Sequence, residues 1–118
     1  MTSALFHLIF ALGGGLGAVG RHYLTQKITH KFPVSTLIIN VSGCFLLGLA
    51  LAQLSNASPE IRQLAFGFCG GFTTFSSFAY QTLDLHRAHT VMHAAANIII
   101  SLLACLMSFW AGHALWSI

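Results

Sequence analysis

The sequence predicts an all-α membrane protein in which four helices cross the bilayer and the third is broken near its centre. Hydrophobic residues fill 56% of the 118 positions and charged residues only 6%, against about a quarter charged in an average soluble domain. The chain divides into four apolar runs joined by short polar connections. The third run carries glycines and hydroxyl residues at its middle. Two acids and five Lys or Arg cannot cover a water-facing surface, so the surface faces lipid, other subunits, or both. A crossing helix takes about 20 residues and four take about 80. A single four-span domain over residues 1–118 therefore leaves no room for a soluble catalytic domain. The net charge of +3 is small and scattered, which excludes a nucleic-acid face.

Segment one is expected over residues 4–24. It lacks a basic leading region and an Ala-x-Ala pattern, so it reads as a span rather than a cleaved leader. Its second half is Gly13-Gly14-Gly15-Leu16-Gly17-Ala18-Val19-Gly20-Arg21. The letters from Gly15 to Gly20 fit GxGxxG, but no strand precedes them and no acid follows before Glu60. The better reading is close helix packing through the GxxxG pair Gly13 and Gly17, extended by Gly20. Gly67 and Gly71 form a second such pair. Arg21 ends the segment, where an ionisable residue either snorkels or pairs structurally, or serves an anion entrance.

Pro33 stands where the second helix can start. Segment two is expected over 35–54 and has no charge. Asn40 near its middle is costly unless hydrogen-bonded. Either it bonds across to another helix, or it is a donor that replaces part of an ion's hydration shell. Ser58, Pro59 and Glu60 form a helix start, as N-cap, first helical residue and a charge favoured by the dipole.

Segment three is expected over 61–83. Its centre, Gly70-Gly71-Phe72-Thr73-Thr74-Phe75-Ser76-Ser77-Phe78, is poor material for a continuous helix. Irregular backbone at membrane depth survives when buried in protein or facing a wet cavity, where its carbonyls can bind a cation. Phe75 and Phe78 are three apart, so a helical turn puts them on one face, and a ring edge is positive enough to touch an anion. A packing kink filled by aromatics is the alternative. Segment four is expected over 91–116, with Asn97, Ser101 and Ser108 polar, and Trp110 and Trp116 suited to an interface. The positive-inside rule would place the connection after segment one in the cytoplasm, but the bias rests on few charges and leaves insertion in both directions open.

Cys44, Cys69 and Cys105 are widely spaced in apolar runs and read as small packing residues, not as a disulfide or zinc framework. His86, His89 and His93 cluster at a loop and read as interfacial rather than metal-binding. No acid lies mid-span, and no catalytic constellation is present, so the chain does not read as an enzyme or as a proton-coupled pump. Neutral amides and hydroxyls inside a membrane suit a small ion passing passively.

These residues carry a resemblance. The chain resembles the CrcB/Fluc fluoride channel family over essentially its whole length. The likeness rests on Gly13 to Arg21, on Thr36-Leu37-Ile38-Ile39-Asn40-Val41-Ser42-Gly43, and on the run from Gly67 to Phe78. It implies an antiparallel, dual-topology homodimer in the cell membrane, exporting fluoride from the cytoplasm through two pores. It implies a structural sodium ion between protomers, held by the Gly70 and Thr73 carbonyls. Asn40, Phe75 and Phe78 match pore positions; Thr74, Ser76 and Ser77 lie in the same block, and Ser101 matches the serine of the fourth segment. Asn97 and Cys105 depart from the family's usual tyrosine and small polar residue. A small multidrug-type transporter would need a glutamate in the first span, which this chain lacks. A non-transporting membrane assembly subunit would need no polar interruption in segment three.

Overall fold

The computed structural model describes residues 2–28 and 34–117, without the side chains of 116 and 117. Pro33 as a helix start and the Trp116 ring lie outside the described residues. The described elements are five helices: α1 Ser3–Lys27, α2 Val34–Gln53, α3 Pro59–Phe72, α4 Phe75–Ala88 and α5 Val91–Ser117.

Local chemistry sets the helix ends. The Thr2 hydroxyl caps α1 by accepting from the Leu5 N–H at 3.2 Å. Ser58 caps α3, accepting from the Ile61 N–H at 3.4 Å, with Pro59 first in the helix and Glu60 in its first turn. The α3 helix stops where Thr73 turns extended (φ −78°, ψ 160°), and Thr74 is also extended (φ −141°, ψ 116°) before α4 begins. His86 and Arg87 lie in the last turn of α4, where the dipole favours cations.

Three helices, α1, α2 and α5, are long and apolar enough to cross a membrane, with mean hydropathy of 1.6, 2.0 and 2.0. The stretch 61–83, expected as one span, is shared between α3 and α4, of 14 residues each. Such a helix is about 21 Å long at 1.5 Å per residue, short of the roughly 30 Å hydrocarbon core.

The fold is held by close helix contact rather than by a thick core, since no large side chain is fully buried among the described residues. Large apolar side chains such as Leu12, Leu16, Leu103 and Met107 point outward. The α1 helix packs on α3 through both GxxxG pairs. A Cβ on Gly17 would overlap the Phe68 carbonyl oxygen, and one on Gly71 would overlap that of Gly14. The α2 helix packs on α5 in the same way, through Gly48 against Phe109 and Gly112 against Phe45. Ser108 donates to the Val41 carbonyl at 2.7 Å beside these contacts. The α4 helix is tied to α5 by Asn97, whose amide donates to the Thr82 hydroxyl at 2.9 Å. Gly43 lets α2 reach the α3–α4 junction, because a Cβ there would overlap the Thr73 methyl.

Candidate functional site

A helix leaves its last four carbonyls and its first four N–H groups without internal partners. Between α3 and α4 these two kinds of end adjoin, with only Thr73 and Thr74 between them. The end of α3 is the negative pole of its dipole and the start of α4 the positive pole.

Local bonds shape this junction. The Thr73 N–H and hydroxyl both donate to the Cys69 carbonyl, at 3.1 and 3.0 Å. The Thr74 hydroxyl caps α4, accepting from the Ser77 N–H at 3.1 Å, and lies 3.3 Å from the Ser76 hydroxyl. Asn40 reaches in from α2. Its Nδ2 donates to the Thr74 carbonyl at 3.0 Å, and its Oδ1 accepts from the Thr74 N–H at 2.8 Å. In a continuous helix that N–H would go to the carbonyl four residues back, on Gly70. Asn40 takes the donor instead, and among the described residues the Gly70 carbonyl is left with only a long 3.5 Å contact from the Thr73 hydroxyl. A primary amide has two N–H donors, so Asn40 keeps one beyond its bond to Thr74.

Arg21 arrives from α1. Its Nη1 donates to the Thr73 carbonyl at 2.9 Å, part-buried. The guanidinium is thus paired with the junction backbone and also sets a positive charge there.

A cavity of about 350 Å³ opens beside the junction. Asn40, Thr74, Phe75, Phe78 and Ser101 all line it, together with Gly70 and Thr73. The Phe75 and Phe78 rings lie on one face of α4, with centroids 5.8 Å apart and planes tilted by 54°. Phe75 is 79% exposed, whereas Ser101 is only 8% exposed. Ser76 and Ser77 are turned elsewhere and line a second recess with Tyr80 and Gln81. His89 and His93 stack at 4.9 Å, and no group of three potential metal ligands occurs among the described residues.

Residues 8–113 match the family described as CrcB-like protein, Camphor Resistance (CrcB). The chain belongs to this family. Similar CrcB relatives carry the name fluoride-specific ion channel FluC. One from Rhodospirillum rubrum is 40% identical, over 91% of each chain. One from Methanopyrus kandleri is 39% identical, over 91% of this chain and 88% of the relative. One from Opitutus terrae is 42% identical, over 91% and 89%. Like the family, the chain is a multi-pass membrane protein.

Some members of this CrcB site escaped the sequence reading. Gln81 is 8% exposed, and its Nε2 donates to the Thr36 hydroxyl at 2.7 Å. Its Oε1 has no partner among the described residues. An amide three residues after Phe78 is as costly in a span as Asn40 is, and that cost was the available signal. Cys44, Cys69 and Cys105 also line the cavity. Nothing in their separate apolar runs pointed to their meeting.

Proposed function

We propose that this protein is a fluoride-selective channel, not an enzyme, and that it passively exports fluoride from the cytoplasm and so lowers its toxicity. The observation that carries the reading is the shared cavity wall of Asn40, Phe75, Phe78 and Ser101 at the start of α4. Each offers a neutral donor or a positive ring edge, and the α4 N-terminus adds a positive pole. Such groups replace the water around a small halide without holding it as tightly as a full charge would. The relatives' name, fluoride-specific ion channel, agrees with this. Ser76 and Ser77, on the neighbouring recess, are the outer members of the proposed path.

In this reading α3 and α4 together make one crossing, broken at Thr73 and Thr74, which brings the number of spans to four. The functional unit is an antiparallel homodimer of dual topology. A structural sodium ion sits where two copies meet, held by the Gly70 and Thr73 carbonyls of each. The chemistry suits it. Hard cations take oxygen ligands, the end of α3 is the negative pole of its dipole, and Asn40 frees the Gly70 carbonyl. Two carbonyls from one chain do not enclose an ion, so the site needs the second copy. Sodium would add positive charge and fix the two protomers.

The experiment is efflux from liposomes loaded with fluoride or chloride. Fluoride should leave rapidly while chloride is retained. Equal rates would remove the selectivity claim. The multidrug-transporter alternative has no acid to work with in a span centre, since Glu60 lies in the first turn of α3 and Asp84 near the end of α4.

A further inference from the structure

Cys44, Cys69 and Cys105 lie on α2, α3 and α5, yet all three line one cavity and all are free thiols. The packing of α2 on α5 explains why two of them meet. Val41 pairs with Ser108 and Phe45 with Gly112, so the two helices run in the same sense. Gly48 touches the Phe109 backbone. Cys44 precedes Gly48 by four residues and Cys105 precedes Phe109 by four, and residues four apart share a helix face. The thiols therefore lie on facing sides of the two helices, one turn from a backbone-to-backbone contact, and both line the same cavity.

We propose that Cys44 and Cys105 form a two-thiolate binding site for a soft divalent cation, with mercuric ion as its probe. Sulfur ligands select soft ions. Binding breaks two S–H bonds, forms two S–metal bonds and releases two protons. Structural zinc takes four ligands, and no group of three His, Cys, Asp or Glu is placed for a metal among the described residues. A divalent ion satisfied by two sulfurs fits. Two thiolates cancel its charge, and a neutral complex avoids the desolvation penalty that a net charge would meet at membrane depth. Both thiols are reachable, because Cys44 and Cys105 are half-buried while Cys69 is buried, and the cavity wall includes the exposed Phe75. The cavity is also that of Asn40, Phe78 and Ser101, so a loaded site obstructs the fluoride path; this consequence rests on the proposed function.

The test uses the full chain in detergent, freed of reductant and titrated with mercuric chloride. The sulfur-to-mercury absorbance and the remaining free thiols are followed together. One equivalent per chain should consume two of the three thiols, and Cys69→Ser should saturate at the same equivalent. Cys44→Ser and Cys105→Ser should bind about a hundredfold more weakly against a competing monothiol, the scale on which even outer partners of a metal site act. Undiminished binding in either of these two variants, or loss of binding in Cys69→Ser, overturns the site. In liposomes, loading should stop fluoride efflux and a dithiol should restore it. Unaltered efflux from loaded protein overturns the obstruction. Protein that passes no fluoride before loading sinks the channel reading instead, and the titration still decides the site.

Discussion

The Asn40 side chain and the Thr74 backbone are bonded in both directions, at 3.0 Å through the carbonyl and 2.8 Å through the N–H. This pairing is the cross-helix bond, one of the two readings that the sequence leaves open. Asn40 lines the cavity, and the second N–H of its amide is the donor that the proposed fluoride path would use. Asn40→Asp retains an acceptor for the Thr74 N–H but sets oxygen against the Thr74 carbonyl and adds a negative charge. A carboxylate about 4 Å from a passing anion, at an effective dielectric of about 20, costs roughly 4 kcal/mol, or about a thousandfold in rate. Fluoride efflux should fall to background while chromatography still shows folded protein. Efflux at the unmutated rate would remove Asn40 from the path.

Phe78→Ile keeps apolar bulk but removes the ring edge that lies 5.8 Å, centroid to centroid, from Phe75. If the positive edge matters, efflux should drop at least about tenfold, equivalent to about 1.4 kcal/mol of barrier. Thermal stability in detergent should change little, because Phe78 is only half-buried. A variant that conducts normally would show that the rings merely fill space.

The glycines of α1 and α3 predict a contrast between two positions. A Cβ at Gly71 would overlap the Gly14 backbone, which cannot rotate away, whereas one at Gly15 meets nothing within 4 Å. Gly71→Ala should therefore destabilise by about 1–3 kcal/mol through overpacking. Gly15→Ala should be neutral or stabilising by up to about 1 kcal/mol, since alanine loses less backbone freedom in a helix. Thermal melts of the two variants in the same detergent decide this. Equal melting points would mean that α1 and α3 do not meet on that face.

What could be read in the sequence was local. The Ser58-Pro59-Glu60 start, the small-residue stripe between α1 and α3, and the one-face placement of Phe75 and Phe78 all follow from spacings of three or four residues. The cost of burying Asn40 likewise marked it for partnership. What could not be read depends on how one helix is rotated and slid against another. Ser76 and Ser77 share the block of Phe75 yet face a different recess, because about 100° separates neighbours on a helix. The Gln81–Thr36 bond and the convergence of three cysteines need the register of α2 against α3, α4 and α5. No single apolar run encodes that register.

Arg21 and the proposed sodium ion share one oxygen, because the guanidinium already donates to the Thr73 carbonyl at 2.9 Å. A carbonyl has a second lone pair, so both can bind, but their charges repel. At a separation of about 5 Å and an effective dielectric of about 20, the repulsion is roughly 3 kcal/mol. Arg21→Gln keeps an N–H donor for Thr73 and removes the charge. It should lower the sodium concentration for half-maximal fluoride efflux by about a hundredfold, the equivalent of that repulsion. The measurement is efflux after exchange of sodium for a large organic cation, followed by graded return of sodium. Unmutated protein should lose efflux on exchange and recover it on return, and efflux indifferent to exhaustive exchange would eliminate the ion. Sodium-dependent efflux with the same midpoint in Arg21→Gln would place the ion away from Thr73.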